Sequence, residues 1–241
     1  MITTYKVLSL LLSYPTREIS AGIPELREAL AQEALLSDKA RRDLEPMLSS
    51  LENDDIYALQ EMYVHLFDRT KTLSLHLFEH VHGEGRDRGM AMVNLKEIYE
   101  EKGIDFAAKE LPDYVPAFLE FLSMCSESEA QDHLNSPLHI LCALKERLLE
   151  KKSPYAAVLA ALESLAGQKV KPEEVQELLK VPTDDPDDLE ALDEAWEDAA
   201  VEFGPGAAPD GATDDGCPKV SNILEQMKFD PAGAPASAAR D

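Results

Sequence analysis

His76 and His80, with Glu79 between them, lie in the stretch HLFEH at residues 76–80. This is the H-x-x-E-H pattern of the inverzincin metallopeptidases. Two imidazoles one helical turn apart hold zinc, a glutamate polarises the bound water, and a third ligand comes from elsewhere in the chain. A helix drawn through this stretch places His76 and His80 at i and i+4, with Glu79 beside His76 and His82 pointing to another side. The same projection supports a second account. Leu73, Leu75, Leu77, Phe78 and Val81 cover most of the circumference, so a deeply embedded helix gathers its few polar residues into one arc without any metal. A motif this short recurs by accident, and the residues alone leave both accounts open.

A glycine-rich run, GEGRDRG at residues 83–89, follows directly. A glycine-rich loop that opens a helix can cradle phosphate, and Arg86 and Arg88 are then candidates for contact with a cofactor's pyrophosphate or with an acidic patch. No alternating strand pattern precedes it, which removes the dinucleotide-binding fold; an exposed helix start is the plainer account.

The elements that must position these groups are helical. From Thr3 to about Leu179 the apolar residues recur at helical spacing, Pro or Gly falls between segments, and strand alternation is absent. VLSLLLSYPT predicts a core helix capped by a threonine near the start and stopped at Tyr14-Pro15. Ile23-Pro24 and Ser37-Asp38 open two more. Between Asp55 and Phe67, Ile56, Leu59, Met62, Tyr63, Leu66 and Phe67 fall in one arc opposite Glu61, His65 and Asp68. Ser136-Pro137 starts a helix with Leu138, Leu141, Leu144 and Leu148 inward and Lys145, Glu146 and Arg147 outward. Ser153-Pro154 and Lys171-Pro172 open the last two. Consecutive helices with short connections predict an all-α fold, a single multi-helix bundle domain over residues 1–181.

Charge and composition narrow the function. The 241 residues include 47 acidic and 23 basic side chains, a net charge of −24, which argues against nucleic acid or anionic lipid as a direct partner and favours a basic one. Cys125, Cys142 and Cys217 have no metal-ligand spacing and are too few to staple a fold of this size, so no disulfide and a reducing cytoplasm are expected. The apolar run near the amino terminus is too short for a membrane span and lacks a secretory cleavage site. Residues 182–241 carry sixteen acidic side chains against Lys219, Lys228 and Arg240. This composition predicts a flexible acidic tail with a short helix near 189–199, and with Trp196 and Phe203 as anchor points.

MYVHLFDRTKTLSLHLFEHVHGEGRDRGMAMVNL, LLSYPT near the start and ELPDYVPAFLEFLS at 110–123 together resemble the respiratory nitrate reductase assembly chaperones. These form the NarJ branch, or delta subunit, of the redox-enzyme maturation chaperones that include TorD and DmsD. HLFEHVHGEGRDRGMAM carries the branch, and EAWEDAAVEFGPG in the tail is similar as well. The resemblance implies an all-helical cytoplasmic chaperone that is not an enzyme and holds no cofactor or metal of its own. It would bind the amino-terminal segment of the nitrate reductase catalytic (alpha) subunit, keep that subunit competent for molybdenum cofactor insertion, and delay its docking on the membrane anchor. The cofactor insertion machinery is a further implied partner. A chaperone for another molybdoenzyme, such as a sulfoxide reductase, shares the fold but fits HVHGEGRDRGMAM poorly.

Carried over position by position, the implied client groove consists of Tyr63, Leu66 and Phe67 on one helix and Glu110, Pro112, Asp113 and Tyr114 at the family's E-x-P-D-H loop. Tyr114 stands where other branches carry histidine, which puts any role of that histidine in doubt. His76, Glu79, His80, Arg86 and Arg88 are candidate contacts to client or cofactor. A twin-arginine-like client segment mixes basic and apolar residues, so an apolar trough edged by carboxylates suits it, and it can dock as an amphipathic helix. Asp113 follows Pro112 and precedes an apolar helix, so capping, alone or together with peptide contact, is its expected role.

Overall fold

Helices form where the sequence supplies a cap or an N-terminal proline and an apolar stripe, while Pro46 and Gly89 are carried inside helices without breaking them. The computed structural model describes residues 1–82, 86–104, 110–183, 185 and 187. All of them lie in one unit, Met1–Ala208. Among the described residues the order is α1 (Thr3–Leu12), α2 (Arg17–Ala21), α3 (Ile23–Glu33), α4 (Asp38–Asn53), α5 (Ile56–Phe67), a 3-10 turn (Lys71–Leu73), α6 (Glu79–His82), α7 (Arg86–Glu101), α8 (Val115–Met124), α9 (Glu127–Asn135), α10 (Leu138–Glu150), α11 (Ala156–Leu165) and α12 (Pro172–Leu179). The fold is an all-α bundle. One isolated antiparallel bridge, His76 with Tyr114, is the extended pairing seen among the described residues.

Local chemistry accounts for most of the starts. Thr16, Ser37 and Asp55 accept backbone N–H bonds at the heads of α2, α4 and α5. Ser126 and Glu129 close a reciprocal capping box on α9. Pro24, Pro116 and Pro172 sit in the first turns of α3, α8 and α12, where a missing N–H costs nothing. α1 differs from the expected threonine cap. Its free N–H groups, those of Thr3 and Thr4, donate instead to the Glu33 carboxylate at the end of α3, at 2.8 and 2.5 Å.

α1 runs through the centre, with Tyr5, Val7, Leu8, Leu11 and Leu12 buried, and packs on α8 and α3. α10 packs on α11 and α12, and α4 lies against α11. Cys125 and Cys142 are buried free thiols; burial pushes the Cys142 thiol up to about 11, which keeps it protonated and inert. Arg147 is not on the outer face of α10 as its neighbours suggest. It is buried, and its guanidinium donates to the carbonyls of Thr72 (2.6 Å), Leu178 (2.8 Å) and Val181 (2.9 Å). No described helix is long and apolar enough to cross a membrane. Trp196, Phe203, Cys217 and the expected helix near 189–199 lie outside the described residues.

Candidate functional site

α5 carries the first wall of the site. Asp55 caps its head, the apolar arc turns Leu59, Tyr63, Leu66 and Phe67 into the interior, and the helix ends at Phe67. The Thr70 hydroxyl then donates to the His65 carbonyl at 3.1 Å, which folds the chain back into the Lys71–Leu73 turn. From Ser74 to Phe78 the backbone is not helical. Leu73, Leu75, Leu77 and Phe78 are all buried, and a segment with apolar side chains in nearly every direction is satisfied between other elements. Its polar backbone therefore needs partners outside itself.

The 111–115 segment supplies them. Leu77 N–H donates to the Asp113 carbonyl (3.0 Å), Val115 N–H donates to the Leu75 carbonyl (2.8 Å), and Phe78 N–H donates to the Asp113 carboxylate (3.1 Å). His76 Nδ1–H donates to the other carboxylate oxygen at 3.2 Å. Asp113 is wholly buried by these contacts, and Arg88 Nη2 stands 4.0 Å away. Asp113 is thus not the cap of α8: that position belongs to Tyr114, with no side-chain cap bond. The carboxylate is used up on the facing segment, where it replaces a missing turn of helix.

The HLFEH helix is likewise corrected. His76 lies in the bridge with Tyr114 and only Glu79 and His80 enter α6, so the two imidazoles are not one helical turn apart. His80 Nε2–H donates to the Ser74 carbonyl at 2.8 Å, and burial pushes its pKa down. Among the described residues no group of three or more His, Cys, Asp or Glu side chains could hold a metal ion. The geometry that a zinc peptidase requires is not formed by this motif.

Two elements distant in sequence meet over a hollow of about 460 Å³. Tyr63 and Phe67 from α5 and Tyr114 from the facing segment form its aromatic side, and His76, Leu75 and Ser74 continue it. Asp68, Thr70, Lys71 and Glu79 complete the lining. Tyr114 O–H donates to the Tyr63 oxygen at 2.7 Å, and Tyr63 O–H donates to the Leu12 carbonyl at 2.9 Å. Burial raises both phenol pKa values, so both remain neutral donors. The aromatic wall is braced from behind: the Phe67 ring lies 4.9 Å from both Tyr63 and Tyr155, in edge-on contacts.

Several expected residues thus converge, namely Tyr63, Phe67, His76, Glu79 and Tyr114. Leu66 is buried and does not line the hollow, Glu110 is exposed, and the Pro112 carbonyl is taken by Tyr99 O–H at 2.9 Å. Arg88 is engaged by Glu79 at 3.0 Å, and the Arg86 side chain lies outside the described residues. Asp68, Thr70, Lys71, Ser74 and Leu75 line the hollow as well and are not among the residues the sequence singles out for the site. The signal was available, since they continue the chain directly from the apolar arc of α5 into the turn that follows.

Residues 19–161 match the family model described as nitrate reductase delta subunit. The nitrate reductase molybdenum cofactor assembly chaperone NarJ of Escherichia coli (strain K12) is 36% identical over 230 residues, covering 95% of this chain and 93% of that protein. NarW of the same strain is 38% identical over 203 residues, covering 82% of each chain. A crystal structure from Archaeoglobus fulgidus, described as that of a redox enzyme maturation protein, has a TM-score of 0.50 at 22% identity. It covers 68% of this chain and 92% of that one, a likeness of fold.

Proposed function

The chain belongs to the nitrate reductase delta subunit family, and from that premise we propose that it is an assembly chaperone for a nitrate reductase, acting by binding rather than by chemistry. Its client is the amino-terminal segment of the catalytic subunit. Holding that segment keeps the subunit open for molybdenum cofactor insertion and delays docking on the membrane anchor. The names borne by NarJ and NarW support nitrate reductase over other molybdoenzymes as the client class.

The observation that carries the site is the meeting of α5 with the 111–115 segment over one hollow, through the Tyr63–Tyr114 hydroxyl pair. The hollow falls within the ~300–1,000 Å³ of ordinary small-ligand pockets, so it receives one or two anchor side chains of a docked helix rather than the helix itself. Phe67, Tyr63 and Leu75 offer apolar surface, and Asp68 and Glu79 offer carboxylates to a basic residue beside the anchor. Asp113 supports this surface from behind.

Titration calorimetry with a peptide of the catalytic subunit's amino terminus tests the reading. Saturable binding that weakens by roughly tenfold or more on Phe67→Ala, the loss of one buried aromatic anchor, is the expected result. Absence of binding to the intact protein would overturn it. Co-purification with a tagged nitrate reductase subunit, against a tagged sulfoxide reductase subunit, tests the client class.

A further inference from the structure

We propose that the hollow is a seat for a guanidinium: an arginine side chain of the docked partner lies over the His76 and Tyr114 rings and donates to His76 Nε2, to the Tyr114 oxygen and to the carboxylates at the edge. That the arginine belongs to the catalytic subunit's amino-terminal segment rests on the function proposed above; the seat stands on the geometry below.

Acceptors prevail in the hollow. His76 turns Nδ1 inward to the buried Asp113 carboxylate at 3.2 Å, which fixes the proton on that nitrogen and leaves Nε2, on the opposite edge of the half-buried ring, as an acceptor. Tyr63 O–H is committed to the Leu12 carbonyl and Tyr114 O–H to Tyr63, so the Tyr114 oxygen has only lone pairs left to offer. Glu79 meets Arg88 through one carboxylate oxygen and keeps a second, and Asp68 is exposed at the edge. Lys71 is the one cation among the described lining residues. It is exposed, and its long stem carries the ammonium out into solvent. Two carboxylates against one ammonium leave the lining net negative, which suits a cationic occupant.

The shape of the seat selects arginine over lysine. A guanidinium is planar, holds five N–H donors in a fixed fork and is more weakly hydrated than an ammonium, so it stacks on flat rings while donating sideways. The His76 and Tyr114 rings, with centroids 5.3 Å apart and planes tilted by 34°, offer two such faces beside the acceptors. An apolar side chain alone would take these acceptors out of water with nothing to donate to them. An apolar anchor against Phe67 and Leu75 therefore needs this companion. Asp113 does not touch the guanidinium; it is a positioning residue that holds the His76 ring and its tautomer.

The test uses the full-length protein and N-acetyl-arginine amide, with its lysine and citrulline counterparts as controls; citrulline keeps the shape of arginine but carries a neutral urea. At about pH 8, where an ordinary imidazole is neutral, the ring nitrogens of His76 are followed by long-range proton–nitrogen correlation, with His76→Phe to assign them. The expected result is a displaced Nε2 signal with the arginine amide and roughly tenfold or weaker affinity for the two controls, the scale of one lost charge-assisted hydrogen bond. Two variants at exposed positions carry opposite signs, with unchanged circular dichroism as the check on folding. Asp68→Asn should weaken the arginine amide by roughly two- to fivefold, the scale of an exposed ion pair, and Lys71→Gln should tighten it. The reverse signs would mark an anion site and overturn the proposal. An arginine amide that leaves the His76 nitrogen unmoved would also overturn it, as would a citrulline amide that moves it as far. Peptide binding that the arginine amide cannot compete away would leave the proposed function standing and sink the seat. An arginine amide held at His76, with no binding of the peptide, would do the reverse.

Discussion

α1 and the 70–80 segment bury apolar side chains to the same depth by opposite means. In α1, Leu8, Leu11 and Leu12 are sealed from solvent, and the helix satisfies its own interior N–H and C=O groups. In 70–80, Leu73, Leu75 and Leu77 are equally sealed, but from Ser74 to Phe78 the backbone is not helical. Its polar groups are met by Asp113 across from it, by Arg147 beneath it and by His80 from its own far end. A helix can lose a side chain and keep its backbone satisfied, whereas an irregular stretch held by Asp113, Arg147 and His80 depends on those side chains. The payoff of the second arrangement is a concave surface, since the absence of a helix between Ser74 and Phe78 leaves the hollow in front of Tyr63 and Phe67.

The sharpest way to break this contrast is Asp113→Ala. It removes the buried carboxylate that accepts from the Phe78 N–H and from the Nδ1–H of the half-buried His76, and loss of one member of such a polar set costs ~3–5 kcal/mol. Urea unfolding should show that loss, while Asp113→Asn, which still offers an acceptor to Phe78, should lose less. A cost under ~1 kcal/mol, the net worth of an ordinary exchangeable hydrogen bond, would show that 70–80 holds itself and that the contrast is false. Next in size is Arg147→Met, which keeps the stem but strands three carbonyls. A charge-assisted bond is worth ~1.5–3 kcal/mol, and because the freed carbonyls at the partly exposed end of α12 regain water, a net loss near the value of one such bond is expected, together with faster proteolysis after Val181. Arg147→Lys should not restore it, because one ammonium cannot reproduce the planar fork.

The same contrast explains what the sequence made legible. α5 and α12 were found to within a residue, because a cap or an N-terminal proline starts each and an apolar stripe runs its length. The meeting of Tyr63 and Phe67 with Tyr114 was expected only from resemblance, since nothing in the local pattern brings residue 63 to residue 114. The 74–78 segment reads as helix in the sequence because its dense apolar residues fit an embedded helix as well as an irregular strip packed on all sides; periodicity cannot separate the two. Arg147 departs from its expected outward place for a related reason. It sits three residues after Leu144, on the inward face, but a charged residue is assigned outward unless its partners are known, and those partners lie at Thr72, Leu178 and Val181.

A smaller test lies at the junction of the two regions. Tyr114→Phe removes a donor to Tyr63 while leaving the Tyr63 bond to the Leu12 carbonyl, and should cost ~0.5–1.5 kcal/mol, the usual net value of one hydrogen bond. If the hydroxyl pair locks α5 to the 111–115 segment, peptide affinity should fall along with stability. A stability loss with unchanged affinity would mean that the aromatic face alone forms the site.

The smallest effect is one of pH, and it separates the regions by window. Burial lowers the pKa of His80, which closes onto the irregular stretch from α6, and of His133, whose ring lies 5.0 Å from Phe121 in the bundle. A histidine whose folded pKa is depressed leaves the unfolded chain binding more protons, so stability is full above the unfolded value and is lost as pH falls from there toward the folded value. Carboxylates held low by partners act farther down. Glu129, brought to about 2 chiefly by its hydrogen bond to Lys102, contributes stability above the ordinary carboxylate range that is lost as pH falls through that lower window. Stability against pH should therefore decline in two steps, and His80→Gln, which keeps a donor toward Ser74, should flatten the first without touching the second. If the first step survives intact in His80→Gln, it belongs to His133, and the irregular segment titrates no differently from the bundle around it.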